Sequence, residues 1–247
     1  MIFRMGELFC GSGGLALGTS RPRIKNHGRM FAVNHEWAVD NEESACETFR
    51  HNICPDAHEK VICKDVRFLD IKKLSPIDAF AFGFPCNDFS VVGEKRGMSG
   101  HFGPLYSYGV GVLDRFKPLW FIAENVGGLR GSDNGTAFKK ILEDLSSAGP
   151  GYRLTAHFYK FEDYGVPQTR HRIIIIGMRA DTGFTFRVPA PTHAQKQITA
   201  REALEHPPIP MHAQNQELTR QSEDVVERLK HIRPGQNAWN AELPRKL

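Results

Sequence analysis

No stretch of this sequence approaches the roughly 18 continuous apolar residues of a membrane-spanning helix, and the opening MIFRMGELF lacks the apolar core of a secretory signal. These absences lead to the expectation of a cytoplasmic protein with no membrane partner. Cysteine is scarce: the five residues at 10, 46, 54, 63 and 86 form no CxxC pair, are odd in number and have no neighbouring histidines at a zinc-ligand spacing. Reduced thiols are expected. The eleven histidines are equally scattered, so no metal is expected. Charge of one sign is also lacking. A net +4 is compatible with nucleic-acid binding but too small to argue for it. There are no repeats or low-complexity tracts. What remains is ordinary globular material: 247 residues, 40% hydrophobic and 24% charged, enough for one large domain and an appendage.

The stretch FGFPCNDFS departs from this plainness. The run DAFAFGF has no polar alternation, which suggests a strand buried on both faces of a parallel sheet. It stops at Pro85 and delivers Cys86 into a polar loop. In such sheets ligands bind beyond the carboxyl ends of the strands, where Cys86 would emerge. A buried, inert cysteine is the common alternative.

Other strand ends carry polar groups to the same edge. MGELFCGSGGLALG reads as a strand ending at Phe9, a turn through Gly11, Gly13 and Gly14, and a helix start. Such a turn lets backbone N–H groups approach a ligand, and Gly11, Gly13 and Ala16 satisfy the loose dinucleotide pattern. A second strand near Glu36 to Val39 ends in Asp40, which could accept hydrogen bonds from a ribose diol or simply charge the following helix. VICKDV is a third short segment, and its Asp65 and Val66 could meet an adenine ring. After Cys86, VVGEKRGMSGHFG suits a mobile lid. A helix with Leu105, Tyr108, Val112 and Phe116 on one face stops at Pro118, and LWFIA leads to Glu124, Asn125 and Val126. A helix over 136–148 with Phe138, Ile141, Leu142 and Leu145 inward is structural. Two strands, YRLTAHFYKF and RIIIIGM, flank EDYGVPQTRHR, whose Gln168, Arg170 and Arg172 could bind phosphate or a base, or form a solvated cationic turn.

Alternating strands and helices argue for a doubly wound α/β domain over residues 1–187. Residues 188–247 read as a proline-rich linker with the short helix ITAREALE and a second helix over 222–231 bearing Val225, Val226, Leu229 and Ile232.

A cysteine, a carboxylate, an amide and arginines at parallel strand ends suggest one chemistry. A thiolate can add to carbon 6 of a pyrimidine and leave carbon 5 nucleophilic toward an alkyl donor. A carboxylic acid at ring nitrogen 3 assists, and Glu124 is the candidate, with a raised pKa expected. Cys86 conversely needs a lowered pKa or base assistance.

Through ELFCGSGG, the Asp40 region, Asp65-Val66, FGFPCNDFS, ENVGG and QTRHR in that order, the chain resembles the S-adenosyl-L-methionine-dependent cytosine-5 DNA methyltransferases. The resemblance implies a mostly parallel Rossmann-like sheet, with Cys86 as nucleophile, Glu124 at nitrogen 3 and Arg172 on a flipped cytosine. It places Phe9, Gly11, Gly13, Gly14, Asp40, Asn41, Asp65, Val66, Gly83, Pro85 and Leu105 around the cofactor. Asn87, Ser90, Asn125, Gln168 and Arg170 fall beside the substrate. Double-stranded DNA is the implied partner, in a bacterial restriction-modification system, with the target base swung out of the duplex. Two residues depart from the pattern: Asn87 stands where many relatives have glutamine, and Asn41 where a bulky apolar residue often packs on adenine. The family continues with a recognition region and two further motifs, whereas RLKHIRPGQNAWNAELP resembles only the start of that region. The expectation is therefore a truncated recognition region.

Four alternatives stay open. The chain could be a catalytic subunit or fragment that is inactive until a second polypeptide supplies the remaining motifs. It could act on transfer RNA. Transfer to an exocyclic amine is disfavoured, because PCN replaces the polar-Pro-Pro-aromatic pocket which that chemistry needs. A nicotinamide dehydrogenase rests on the glycine pattern alone.

Overall fold

In β5 (Ala79–Gly83) two side-chain sizes alternate. Phe80 and Phe82 are fully buried on one face with Leu113 and Phe121, while Ala79 and Ala81 are fully buried on the other beside Met5. Large rings fill one layer and small side chains let the opposite layer close in, so the strand is dry on both faces. The Phe80 and Phe82 rings stack with centroids 4.9 Å apart. The computed structural model describes residues 1–85, 105–214 and 219–244, the side chains of 132–134 excepted. Cys86, Asn87, Ser90 and the expected lid lie outside the described residues.

The other strands are β1 (Ile2–Leu8), β2 (Ile24–Asn26), β3 (Arg29–Asp40), β4 (Val61–Cys63), β6 (Trp120–Val126), β7 (Tyr152–Lys160) and β8 (His171–Arg179). Together they form an eight-stranded sheet in the order β2, β3, β1, β5, β6, β8, β7, with β4 also paired to β3. The pairings from β4 through β3, β1 and β5 to β6 are parallel, and β8 runs antiparallel to β6 and β7. From β1 the chain moves outward to β3 and β4, then returns to the far side of β1 for β5 and β6. That reversal opens a crevice beyond the carboxyl ends of β1 and β5. The architecture is mixed α/β with a largely parallel sheet, as expected.

Helices cover both faces. α1 (Gly14–Ser20) and α2 (Glu43–Ile53) enclose Cys10, Ala16, Cys46 and Phe49, whereas α3 (Tyr106–Phe116) and α4 (Thr136–Ser147) close the phenylalanine layer. On α3 the expected Leu105, Tyr108, Val112 and Phe116 lie in or against the core, and Tyr106, Gly109 and Leu113 are buried beside them. A Cβ on Gly109 would stand 2.5 Å from the Phe82 ring, so the helix lies on that ring through its glycine. The hairpin of β2 and the start of β3 was unexpected. Its polar residues lack alternation, and His27 and Gly28, with φ of 46° and 75°, make the two-residue turn.

The described chain divides into two units, Met1–Ile198 and Thr199–Leu247. The division falls beyond Arg187, where the composition placed it. Residues after 187 are tied back to the first unit: Pro189 O accepts from the Tyr164 hydroxyl at 2.9 Å, and Gln197 Nε2 donates to Asp163 Oδ1 at 2.8 Å. The second unit holds α5 (Ala200–Glu205), started by a reciprocal cap between Thr199 and Glu202, and α6 (Glu223–Lys230), on which Val226 and Leu229 are exposed. No helix among the described residues is long and apolar enough to cross a membrane.

Close packing generates a paired expectation. Gly177 of β8 faces Phe121, and a Cβ there would lie 2.0 Å from the ring, whereas Gly18 of α1 opens on free space. Thermal unfolding should show Gly177→Ala destabilised by about 1–3 kcal/mol. Gly18→Ala should be neutral or stabilising by up to about 1 kcal/mol. Equal effects of the two substitutions would contradict the packing described.

Candidate active site

The crevice is polar where the chain leaves β1 and β3. Phe9, with φ of 55°, turns the chain out of β1, and Cys10 N–H donates to Val39 O at 3.1 Å. Gly11 N–H then reaches Asp40 Oδ2 at 2.8 Å, and Glu42 N–H reaches Asp40 Oδ1 at 3.1 Å. Asp40 thus ties the glycine turn to the start of α2. Each oxygen retains a lone pair for a ligand hydroxyl. Gly13 caps α1 at φ of 92°, where a Cβ would stand 2.8 Å from Ile53, and Gly14 begins the helix. These two glycines serve the turn and do not line the cleft.

The cleft itself is lined by Phe9, Asp40 and Asn41 from the first two strand ends, and by Asp65 and Val66 after β4. Pro85 and Leu105 close it. Val39, Lys64 and Arg67 complete the lining and were not anticipated. Arg67 holds Asp65 in an ion pair at 2.5 Å and donates its backbone N–H to the same carboxylate at 2.9 Å. The alternation in KDVR could have signalled this local pair.

A second group lies on the neighbouring strands. Glu124 stands in β6 opposite Gly83 of β5, and Arg172 at the start of β8 places its Nε 2.7 Å from Glu124 Oε1. Burial pushes the Glu124 carboxyl above its ordinary pKa, against the opposing pull of Arg172 and Arg170. A Cβ on Gly83 would stand 3.4 Å from Glu124 Oε2. Gly83 thus lies beside Glu124, two residues before the Pro85 that lines the cleft. Arg170 and Gln168 are exposed on the connector before β8.

The Asn125 side chain is buried, with Nδ2 donating to Phe84 O at 3.2 Å and Oδ1 accepting from Val126 N–H at 2.8 Å. It clamps the segment that leads from β5 through Pro85 towards Cys86. As expected, Glu124, Asn125 and Val126 end the strand, and the strand alternation turns Asn125 to the buried face.

The family model for C-5 cytosine-specific DNA methylases matches residues 3–246. The chain belongs to that family. It is 58% identical to the type II methyltransferase M.BbvI of Brevibacillus brevis over 254 aligned residues, across 100% of this chain and 67% of that protein. With M.NgoFVII of Neisseria gonorrhoeae the identity is 35%, across 94% of this chain and 60% of the relative. The chain thus spans about two thirds or less of these relatives' lengths. Among solved structures, a prophage-encoded DNA modification methyltransferase from E. coli superposes with a TM-score of 0.60 at 26% identity, covering 81% of this chain and 54% of that one. Spodoptera frugiperda DNMT2 gives a TM-score of 0.61 at 19% identity, covering 93% and 66%, a likeness of fold.

In this methylase the Asn125 clamp has a measurable consequence. Asn125→Leu leaves the Phe84 carbonyl and the Val126 amide unpaired and should cost about 1–3 kcal/mol in denaturant unfolding. Stability equal to that of the parent would show that the clamp carries no weight.

Proposed function

We propose that this chain carries the catalytic chemistry of a type II DNA (cytosine-5) methyltransferase of a cytoplasmic restriction-modification system. It moves a methyl group from S-adenosyl-L-methionine to carbon 5 of a cytosine flipped out of duplex DNA. The observation that carries this reading is the Glu124–Arg172 pair beside the end of β5, on the same sheet edge as the cleft holding Asp40 and Asp65.

The cleft suits the cofactor by its donor set. Asp40 and Asp65 offer acceptors to hydroxyls and amino groups, and Phe9, Val66 and Leu105 offer apolar contact to a purine, which supports an adenosine-type ligand. Bound S-adenosyl-L-methionine supplies an electrophilic methyl group.

The chain's own residues do the rest. Cys86, as thiolate, forms a bond to carbon 6 of the cytosine while Glu124 gives its proton to nitrogen 3, so the ring's electrons collect at carbon 5. Arg172 orients the Glu124 carboxyl and Arg170 adds positive charge at the ring edge. After methyl transfer a base removes the carbon 5 proton, the Cys86–carbon 6 bond breaks, and the proton on nitrogen 3 returns to Glu124. The match to the model for C-5 cytosine-specific DNA methylases supports DNA over transfer RNA as the substrate.

The test is product analysis after incubation with labelled S-adenosyl-L-methionine and either duplex DNA or transfer RNA. 5-Methylcytosine in DNA is expected, and label confined to RNA or to an exocyclic amine would overturn the reading. Cys86→Ser should abolish transfer and spare cofactor binding. Glu124→Gln should slow transfer by roughly two to four orders of magnitude. The protonated fraction of Glu124 is held at pH values below its raised pKa and lost as pH rises through it. This limb of the rate profile should therefore vanish in the glutamine variant.

A further inference from the structure

A carboxylate and an imidazole, one on the connector before β8 and one at the start of that strand, meet in a contact that the chemistry above does not use. Glu162 lies in the short 3-10 turn after β7 and is buried, an uncommon place for a carboxylate. Its Oε1 sits 2.6 Å from His171 Nε2, and its Oε2 accepts the Arg170 N–H at 3.2 Å. Backbone hydrogen bonding, together with these contacts, holds the Glu162 carboxyl below its ordinary pKa against the cost of burial. The carboxylate is thus ionised and the His171 Nε2–H donates to it.

These bonds grip the two residues that precede Arg172. The backbone there is also held by Phe161 N–H donating to Arg170 O at 3.0 Å. The His171 carbonyl accepts from Arg172 Nη1 at 2.8 Å, while Arg172 Nε reaches Glu124. The His171 ring meets Phe158 edge-on at 5.5 Å. Phe158 in turn covers Gly127, where a Cβ would stand 2.4 Å from it, directly after β6. One carboxylate therefore fixes the backbone from which both arginines project, and the histidine ring packs that backbone against the strand bearing Glu124.

We infer that Glu162 and His171 are positioning residues, which set the Arg172 guanidinium on Glu124 by holding the backbone just before it. Neither touches the reacting atoms. Their catalytic consequence rests on the methyltransferase reading, whereas the geometric claim does not, and the experiment separates the two.

The first arm needs neither cofactor nor DNA. In isotope-labelled chain the Arg172 Nε–H resonance, identified by its loss in Arg172→Lys, reports the Glu124 contact. Glu162→Ala should speed its hydrogen exchange by about tenfold, with Glu162→Gln intermediate because the amide still offers an acceptor to Arg170 N–H. An unchanged Arg172 signal in a folded Glu162→Ala protein overturns the inference. Should that variant fail to fold, His171→Ala carries the same comparison, since that ring is 38% exposed.

The second arm is a double-mutant cycle in single-turnover methylation. Glu162→Ala should cost about tenfold to a hundredfold alone, with cofactor affinity unchanged, and little further in an Arg172→Lys background. Additive losses, or a loss confined to cofactor binding, would refute a role through Arg172. A parent chain that transfers no methyl group, either alone or with a polypeptide supplying the remaining family motifs, refutes the methyltransferase reading and leaves the resonance arm to decide the geometry.

Discussion

The site depends on a balance at Glu124. Burial at the junction of β5, β6 and β8 drives the carboxyl toward its protonated form, and Arg172 at 2.7 Å pulls it back toward the anion. Neither influence alone would serve a group that must hold a proton and also give it up. The antiparallel strand β8 is what makes the balance available. Because Arg172 pairs with Val126 while Glu124 pairs with Ile174, the arginine starts beyond the carboxylate and reaches back along the sheet edge. A parallel strand in that place would need a crossover connection, and its carboxyl end, not its start, would lie at this edge.

Much of this was legible because it follows from local rules. The run AFAFG could only be a strand dry on both faces, and Pro85 marked its end. The order of strands and helices implied the parallel sheet, and the crevice beyond strand ends gathers Phe9, Asp40, Asn41, Asp65, Val66, Pro85 and Leu105 as the motifs suggested. Helix α4, with Ile141 and Leu145 inward, followed from periodicity.

What was missed depends on contacts between distant segments. Helical spacing put Tyr108, Val112 and Phe116 against the core on α3 but did not mark Gly109, on which the Phe82 ring rests. The sequence put Asn125 at a strand end, where it lies, but not its amide against the Phe84 carbonyl. Only the register of β5 on β6 places Gly83 against Glu124. Glu162 and His171, nine positions apart, meet because the connector folds back on itself. No periodic pattern encodes that closure.

The central claim is that these strand ends serve a cysteine nucleophile adding to a cytosine. Covalent trapping tests it most directly: the chain is incubated with S-adenosyl-L-methionine and duplex DNA containing 5-fluorocytosine, in which the departing proton is replaced by fluorine. Mass spectrometry should find a methylated base bonded to Cys86. DNA methylated at carbon 5 by a Cys86→Ser chain, or an adduct mapped to any of the other cysteines, would contradict the account.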